Sequence, residues 1–133
     1  MDITPIIPAD RQVIEAYGQG SFRVSGVLYQ GAILVFPEAT QTWPPMEMAA
    51  VTVDSLQPVF DKGADILLLG CGPRMLQVPR DLRQALRSAG IIVDAMDTGA
   101  ACRTYNVLLA EDRRVVAALL PAQPAGEQGG LIR

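Results

Sequence analysis

Residues 64–94 read ADILLLGCGPRMLQVPRDLRQALRSAGIIVD, and this stretch decides the fold. Ala64 to Leu69 is an apolar run with a turn signal at each end, the pattern of a strand buried on both faces. Gly70-Cys71-Gly72-Pro73 ends the run. Pro79 to Ala89 predicts a helix with Pro at its start and Gly90 as its C-terminal stop. Leu82, Ala85, Leu86 and Ala89 form the apolar stripe of that helix, and Arg80, Arg83 and Arg87 take the solvent side. Ile91 to Asp94 predicts a second buried strand. Strand, helix and strand in this order make a right-handed crossover between parallel strands.

The same alternation extends towards the C-terminus. Asp97-Thr98 caps a helix running to about Ala110, and Arg113 to Leu120 makes a last apolar strand, so strands 65–69, 91–94 and 115–119 are expected to lie parallel. On the N-terminal side, Asp54-Ser55 caps a short helix through Phe60 that Lys62-Gly63 closes. Phe22 to Leu28, the turn Tyr29-Gln30-Gly31 and Ala32 to Pro37 read as an antiparallel hairpin with Phe22, Val24 and Leu28 on one face. Trp43 ends a third short strand that Pro44-Pro45 stops. Residues 1–20 read as an extended lead-in with no firm element, and residues 121–133, rich in Pro, Gly and Gln, as a mobile tail. The expectation is one compact α/β domain over residues 1–120. Its mixed sheet, an N-terminal antiparallel hairpin plus parallel strands with helical crossovers, lies between helices.

Composition narrows the chemistry. The 133 residues suit one domain that buries roughly two-thirds of its unfolded surface, with no disulfide or metal needed for folding. A net charge of -3 leaves no basic excess for counterion release, which argues against nucleic acid. Cys71 and Cys102 in a chain without secretory features read as reduced thiols of a cytoplasmic protein. The N-terminus shows no signal-peptide pattern, and no apolar run reaches the length that crosses a bilayer, so membrane association is expected only through partners. With no histidine, Ser-His and Cys-His nucleophiles and the usual zinc, iron and copper sites are excluded. No metal, cofactor or catalytic residue is assigned.

The loops after Leu69 and Asp94 sit where open α/β sheets bind ligands, outside the carboxyl ends of parallel strands. Gly70-Cys71-Gly72-Pro73-Arg74 reads either as a tight turn or as a contact loop, with glycines baring backbone N–H groups and Arg74 holding an anion. It matches neither phosphate-loop nor dinucleotide spacing. Asp94, Asp97 and Thr98 join Arg74 as possible walls of one cleft, although helix capping also accounts for Asp97 or Thr98. On the following helix, Arg103, Tyr105 and Asn106 mark a polar face, and the mid-helix Asn106 amide is expected to hydrogen-bond a neighbouring loop or a ligand. Trp43 is either core or an exposed partner anchor.

Val35-Phe36-Pro37 with Trp43, Leu67 to Gly72, Ala101-Cys102-Arg103-Thr104-Tyr105-Asn106-Val107-Leu108 and Glu111 to Leu119 together resemble the Mth-like domain-of-unknown-function family. That family includes the mitochondrial assembly factor 3 of respiratory complex I and the adipogenesis-associated Mth-like proteins. The resemblance covers residues 12 to 120 and implies an Mth-like mixed α/β fold. It also implies a non-enzymatic interaction role with protein partners, possible respiratory-complex subunits among them. It carries no catalytic residue over, but it marks the Gly70–Gly72 loop and the Arg103–Asn106 helix. The competing expectation is a small-anion-binding domain or an unrecognised enzyme built on the Gly70–Arg74 loop.

Overall fold

The computed structural model describes residues 10–122. The expectations for residues 1–9 and for most of the tail, 123–133, lie outside the described residues. A five-stranded mixed sheet forms the centre. Its strands are β4 (Ile33–Val35), β5 (Thr40–Thr42), β6 (Ile66–Gly70), β7 (Ile92–Met96) and β8 (Val115–Leu119), in the order β5-β4-β8-β6-β7. The crossover expected from residues 64–94 is present: β6 runs parallel to both β7 and β8, and α2 (Arg80–Ser88) and α3 (Thr98–Ala110) follow β6 and β7. β4 pairs antiparallel with β5 and β8.

Strand alternation divides the core into two layers. Leu34, Leu67, Leu69, Val116 and Ala118 point to the face that α2 and α1 (Gln57–Lys62) cover with Leu82, Leu86 and Val59. Ile33, Val35, Leu68, Val115, Ala117 and Leu119 point to the face that α3 covers with Ala101, Cys102, Tyr105 and Leu109. All five residues of β8 are buried, because β8 lies in the middle of the sheet with helices on both sides. Each fully buried Leu or Val of this kind contributes about 1.5–3 kcal/mol.

The N-terminal third departs from expectation. The chain reverses at Ser25-Gly26, where φ is 45° and 85°, the positive pair that a two-residue hairpin turn requires. The segment read as one strand is therefore two, β2 (Ser21–Val24) and β3 (Val27–Gln30), and the hairpin forms between them. The early turn moves Leu28 off the Phe22 and Val24 face: those two are buried and Leu28 is half exposed. Ala32 to Pro37 leaves this hairpin and supplies β4 to the central sheet instead. Inside the lead-in, Ile14–Gly18 forms β1, which pairs with β2 in a separate three-stranded sheet over the α3 layer.

Smaller corrections have local causes. Thr52 and Ser55 cap the turn before α1 reciprocally: the Ser55 N–H donates to Thr52 Oγ1, and the Thr52 N–H donates to Ser55 Oγ. β7 is not buried on both faces, because it is a sheet edge and Ile92 is 64% exposed. Ala89 lies past the end of α2 and is exposed. Trp43 follows β5 as expected but is no surface anchor. It is buried in the layer under α1 and α2, and its indole Nε1 donates to the Ser55 carbonyl at 2.6 Å.

The burial of Trp43 gives a direct test. Its fluorescence, the sole indole signal, should resist acrylamide quenching in the native state and become quenchable in denaturant. Trp43→Phe should lower unfolding stability by about 1–2 kcal/mol through the lost hydrogen bond and the unpaired Ser55 carbonyl. Free quenching of the native protein would place the side chain outside the core.

Candidate functional site

Three chain segments meet where β6, β7 and β8 end. Thr98, the first residue of α3, is fully buried. Its Oγ1 accepts the Gly72 N–H at 2.9 Å and donates to the Leu120 carbonyl at 2.6 Å. The Thr98 N–H donates to the Gly72 carbonyl, the Cys71 N–H to the Met96 carbonyl, and the Leu120 N–H to the Gly70 carbonyl. Every link joins one strand end to another, so the loop after β6 is stitched on both sides. Thr98 is thus not the cap of α3. That role belongs to Asp97, whose carboxylate accepts the Ala100 N–H at 2.9 Å.

Gly70 is required here by close approach. A Cβ at this position would lie 2.9 Å from Leu119 Cδ2, 3.0 Å from Thr98 Oγ1 and 3.1 Å from Thr98 Cα. Gly72 is required by its backbone, with φ at 102°. Both glycines thus have structural reasons, but only Gly72 takes the positive φ of the tight-turn reading.

Outside this knot lies a cleft of about 250 Å³. Cys71, Gly72, Pro73, Arg74 and Leu76 form one wall, Met46, Glu47 and Met48 the other, with Leu120 and Pro121 at the base. Arg74 is exposed, as an anion-holding role needs. Asp94 and Asp97 do not join it: Asp94 falls within β7, and Asp97 is turned into the α3 cap. The Met46–Met48 wall was not anticipated. It adjoins Arg74 only through tertiary folding, and residues 46–48 carry no sequence signal that links them to residues 71–76.

Cys71 is buried, with its Sγ 3.6 Å from the Leu69 carbonyl and 3.7 Å from the Leu76 carbonyl. Desolvation pushes its pKa up, which keeps it a thiol near neutral pH. Burial raises Cys102 to about 12, in keeping with a packing role. Among the described residues no three His, Cys, Asp or Glu side chains are grouped to hold a metal ion.

The remaining candidates lie elsewhere. Asn106 pairs with the backbone of β1: Oδ1 accepts the Ile14 N–H at 3.1 Å, and Nδ2 donates to the Ile14 carbonyl at 2.8 Å. Tyr105 is fully buried and its hydroxyl donates to the Gln12 carbonyl at 3.1 Å. These two side chains clamp the N-terminal sheet to α3, and of Arg103, Tyr105 and Asn106 only Arg103 is exposed. The amide of Asn106 is therefore spent on a neighbouring segment of the same chain.

A family model described as "Protein of unknown function (DUF498/DUF598)" matches residues 14–120. The chain belongs to the DUF498/DUF598 family. Among similar proteins, an uncharacterized protein of Rhodobacter capsulatus is 38% identical over 81% of this chain and 83% of its own length. The Danio rerio protein named NADH dehydrogenase [ubiquinone] 1 alpha subcomplex assembly factor 3 is 32% identical over 87% of this chain and 67% of its own length. Among similar solved structures, a Bordetella parapertussis crystal structure has 40% identity and TM-score 0.78, covering 84% of this chain and 96% of that one. A Bordetella pertussis solution structure described as an Mth938-like domain has 30% identity and TM-score 0.80, covering 95% of this chain and 96% of that one.

The knot predicts a graded mutational response in this DUF498/DUF598 domain. Thr98→Val keeps the volume but unpairs the Gly72 N–H and the Leu120 carbonyl, and should cost about 2 kcal/mol or more in urea unfolding. Gly70→Ala should cost about 1–3 kcal/mol by overpacking. The pair should be non-additive, because both act on the same contact. Additive losses would mean that Gly70 and Thr98 act independently.

Proposed function

We propose that this chain is an interaction protein that assists assembly of a respiratory NADH:ubiquinone oxidoreductase. The observation that carries this reading is identity of 30–32% over 85–87% of the chain to the Homo sapiens and Danio rerio proteins named complex I assembly factor 3. Those proteins extend beyond the matched region, which spans 62% of the human one. The surface of this chain offers adaptable side chains suited to a protein partner: Met46 on the cleft wall and Met75, next to Arg74 in sequence, are each 59% exposed. No helix among the described residues is long and apolar enough to cross a membrane, so contact with membrane-bound subunits runs through partners in this reading.

Deletion in the native cells should lower assembled complex I on blue-native gels, with restoration by the wild-type gene. Undiminished complex I in the deletion strain would count decisively against the assembly role.

The cleft supports a second reading, a small-anion site built on Arg74 of the Gly70–Arg74 loop, without the backbone donors expected there, because the Cys71 N–H is bonded to the Met96 carbonyl and the Gly72 N–H to Thr98 Oγ1. Its volume is about 250 Å³, and Arg74 stands on its wall at the ends of the parallel strands. A bound anion should raise the thermal midpoint of the wild type and leave Arg74→Ala unmoved. Absence of any shift across a panel of carboxylates, phosphates and nucleotides removes this reading.

A further inference from the structure

The free edge of β7 carries an interaction surface distinct from the cleft. Among the described residues, β7 is the outermost strand of the five-stranded sheet and pairs on one side only, with β6. The Ile92 N–H donates to the Asp65 carbonyl, and the Met96 carbonyl accepts the Cys71 N–H, so Ile92 and Met96 turn their backbone groups towards β6. In a parallel ladder the alternate residues turn theirs the other way. Val93 and Ala95 therefore aim their N–H and C=O groups at the open edge.

Soluble proteins normally blunt such an edge with Lys, Pro, a bulge or a covering segment. β7 reads Ile-Val-Asp-Ala-Met and has only Asp94 to do so. Along it runs a groove of about 150 Å³ formed by Arg83, Arg87, Ile91, Ile92 and Val93. Ile92 is 64% exposed. Arg80, Arg83 and Arg87 recur along the solvent side of α2, and among the described residues none of the three is in an ion pair or side-chain hydrogen bond. This local positive charge runs against the net charge of -3.

Val93 and Ala95 pack in the layer with α2, so the opposite face of β7 carries Ile92, Asp94 and Met96. A strand added here would present one set of alternate side chains to the arginines and the other set to Ile92. We propose that β7 accepts an extended acidic segment of a partner protein as a sixth strand. Its carboxylates face Arg83 and Arg87, and its apolar side chains lie beside Ile92. Backbone pairing to Val93 and Ala95 supplies affinity, and the arginines supply specificity. This surface rests on the partner-binding reading, and it adds the chemistry of one partner segment.

The probe is a synthetic peptide of alternating Glu and Val, followed by amide hydrogen exchange of the intact chain. Exchange at Val93 and Ala95 should slow about tenfold or more at saturating peptide, while the inward-bonded Ile92 amide is unchanged. The Arg83→Glu/Arg87→Glu double variant, both sites being exposed, should fold normally by circular dichroism and weaken binding at least about tenfold. Alternating Lys and Val should not bind. Equal binding of the Lys peptide, or no protection at Val93 and Ala95, overturns the proposal. So does protection that rises with protein concentration alone, which assigns the edge to a second copy of this chain. Inorganic polyphosphate that binds without protecting Val93 and Ala95 would show an anion patch and not a strand acceptor. These readouts require no complex I, so failure here with a clear deletion defect rejects the edge alone.

Discussion

The buried hydroxyl of Thr98 holds the centre of this fold together. One oxygen accepts the Gly72 N–H and donates to the Leu120 carbonyl, so it joins the exits of β6 and β8 at the start of α3. Valine has the same shape but neither hydrogen-bonding function, and serine lacks the methyl group that fills the buried site. Absence of a side chain at Gly70 lets the helix terminus come this close. The cleft wall at Cys71–Arg74 takes its position from that contact, because the loop leaves the knot directly at Gly72.

The two margins of the central sheet differ in consequence. β5 is also an edge strand, and it runs on into Trp43, which is buried under α1 and α2. β7 keeps an open flank beside a helix rich in arginine. The polar interactions of α3 are directed inward to β1, through Asn106 and Tyr105. The strand ends near Arg74 and the flank of β7 are both positioned by the β6–α2–β7 crossover.

Much of this arrangement was legible in residues 64–120, where buried strands and capped helices alternate and each boundary carries its own signal. Pro79, Gly90 and Asp97 all mark true ends, because their effects are local. The N-terminal third was misread where two turns competed. Gly31, with φ at 80°, invited a hairpin, while the real reversal at Ser25-Gly26 places a serine at positive φ, which residue preference does not favour. β1 was missed because its stability comes from the Asn106 clamp 92 residues away. Exposure of β7 was hidden by its apolar sequence, since strand order, not composition, sets which strand lies at the margin. The cleft was half legible: the Gly70–Arg74 side follows from the position of a strand end, and the Met46–Met48 side follows only from tertiary packing.

Strand order also bears on how the chain is made. β4 and β6 are joined only through β8, so the antiparallel and parallel halves of the central sheet share no backbone hydrogen bonds until residues 115–119 have been synthesised. The clamp on β1 likewise waits for residues 105 and 106. Leu34 thus lies in one half of the sheet and Leu67 and Leu69 in the other, and the strand that unites their shared layer is the last to be made. Contacts so distant in sequence slow folding and lengthen the exposure of apolar surface.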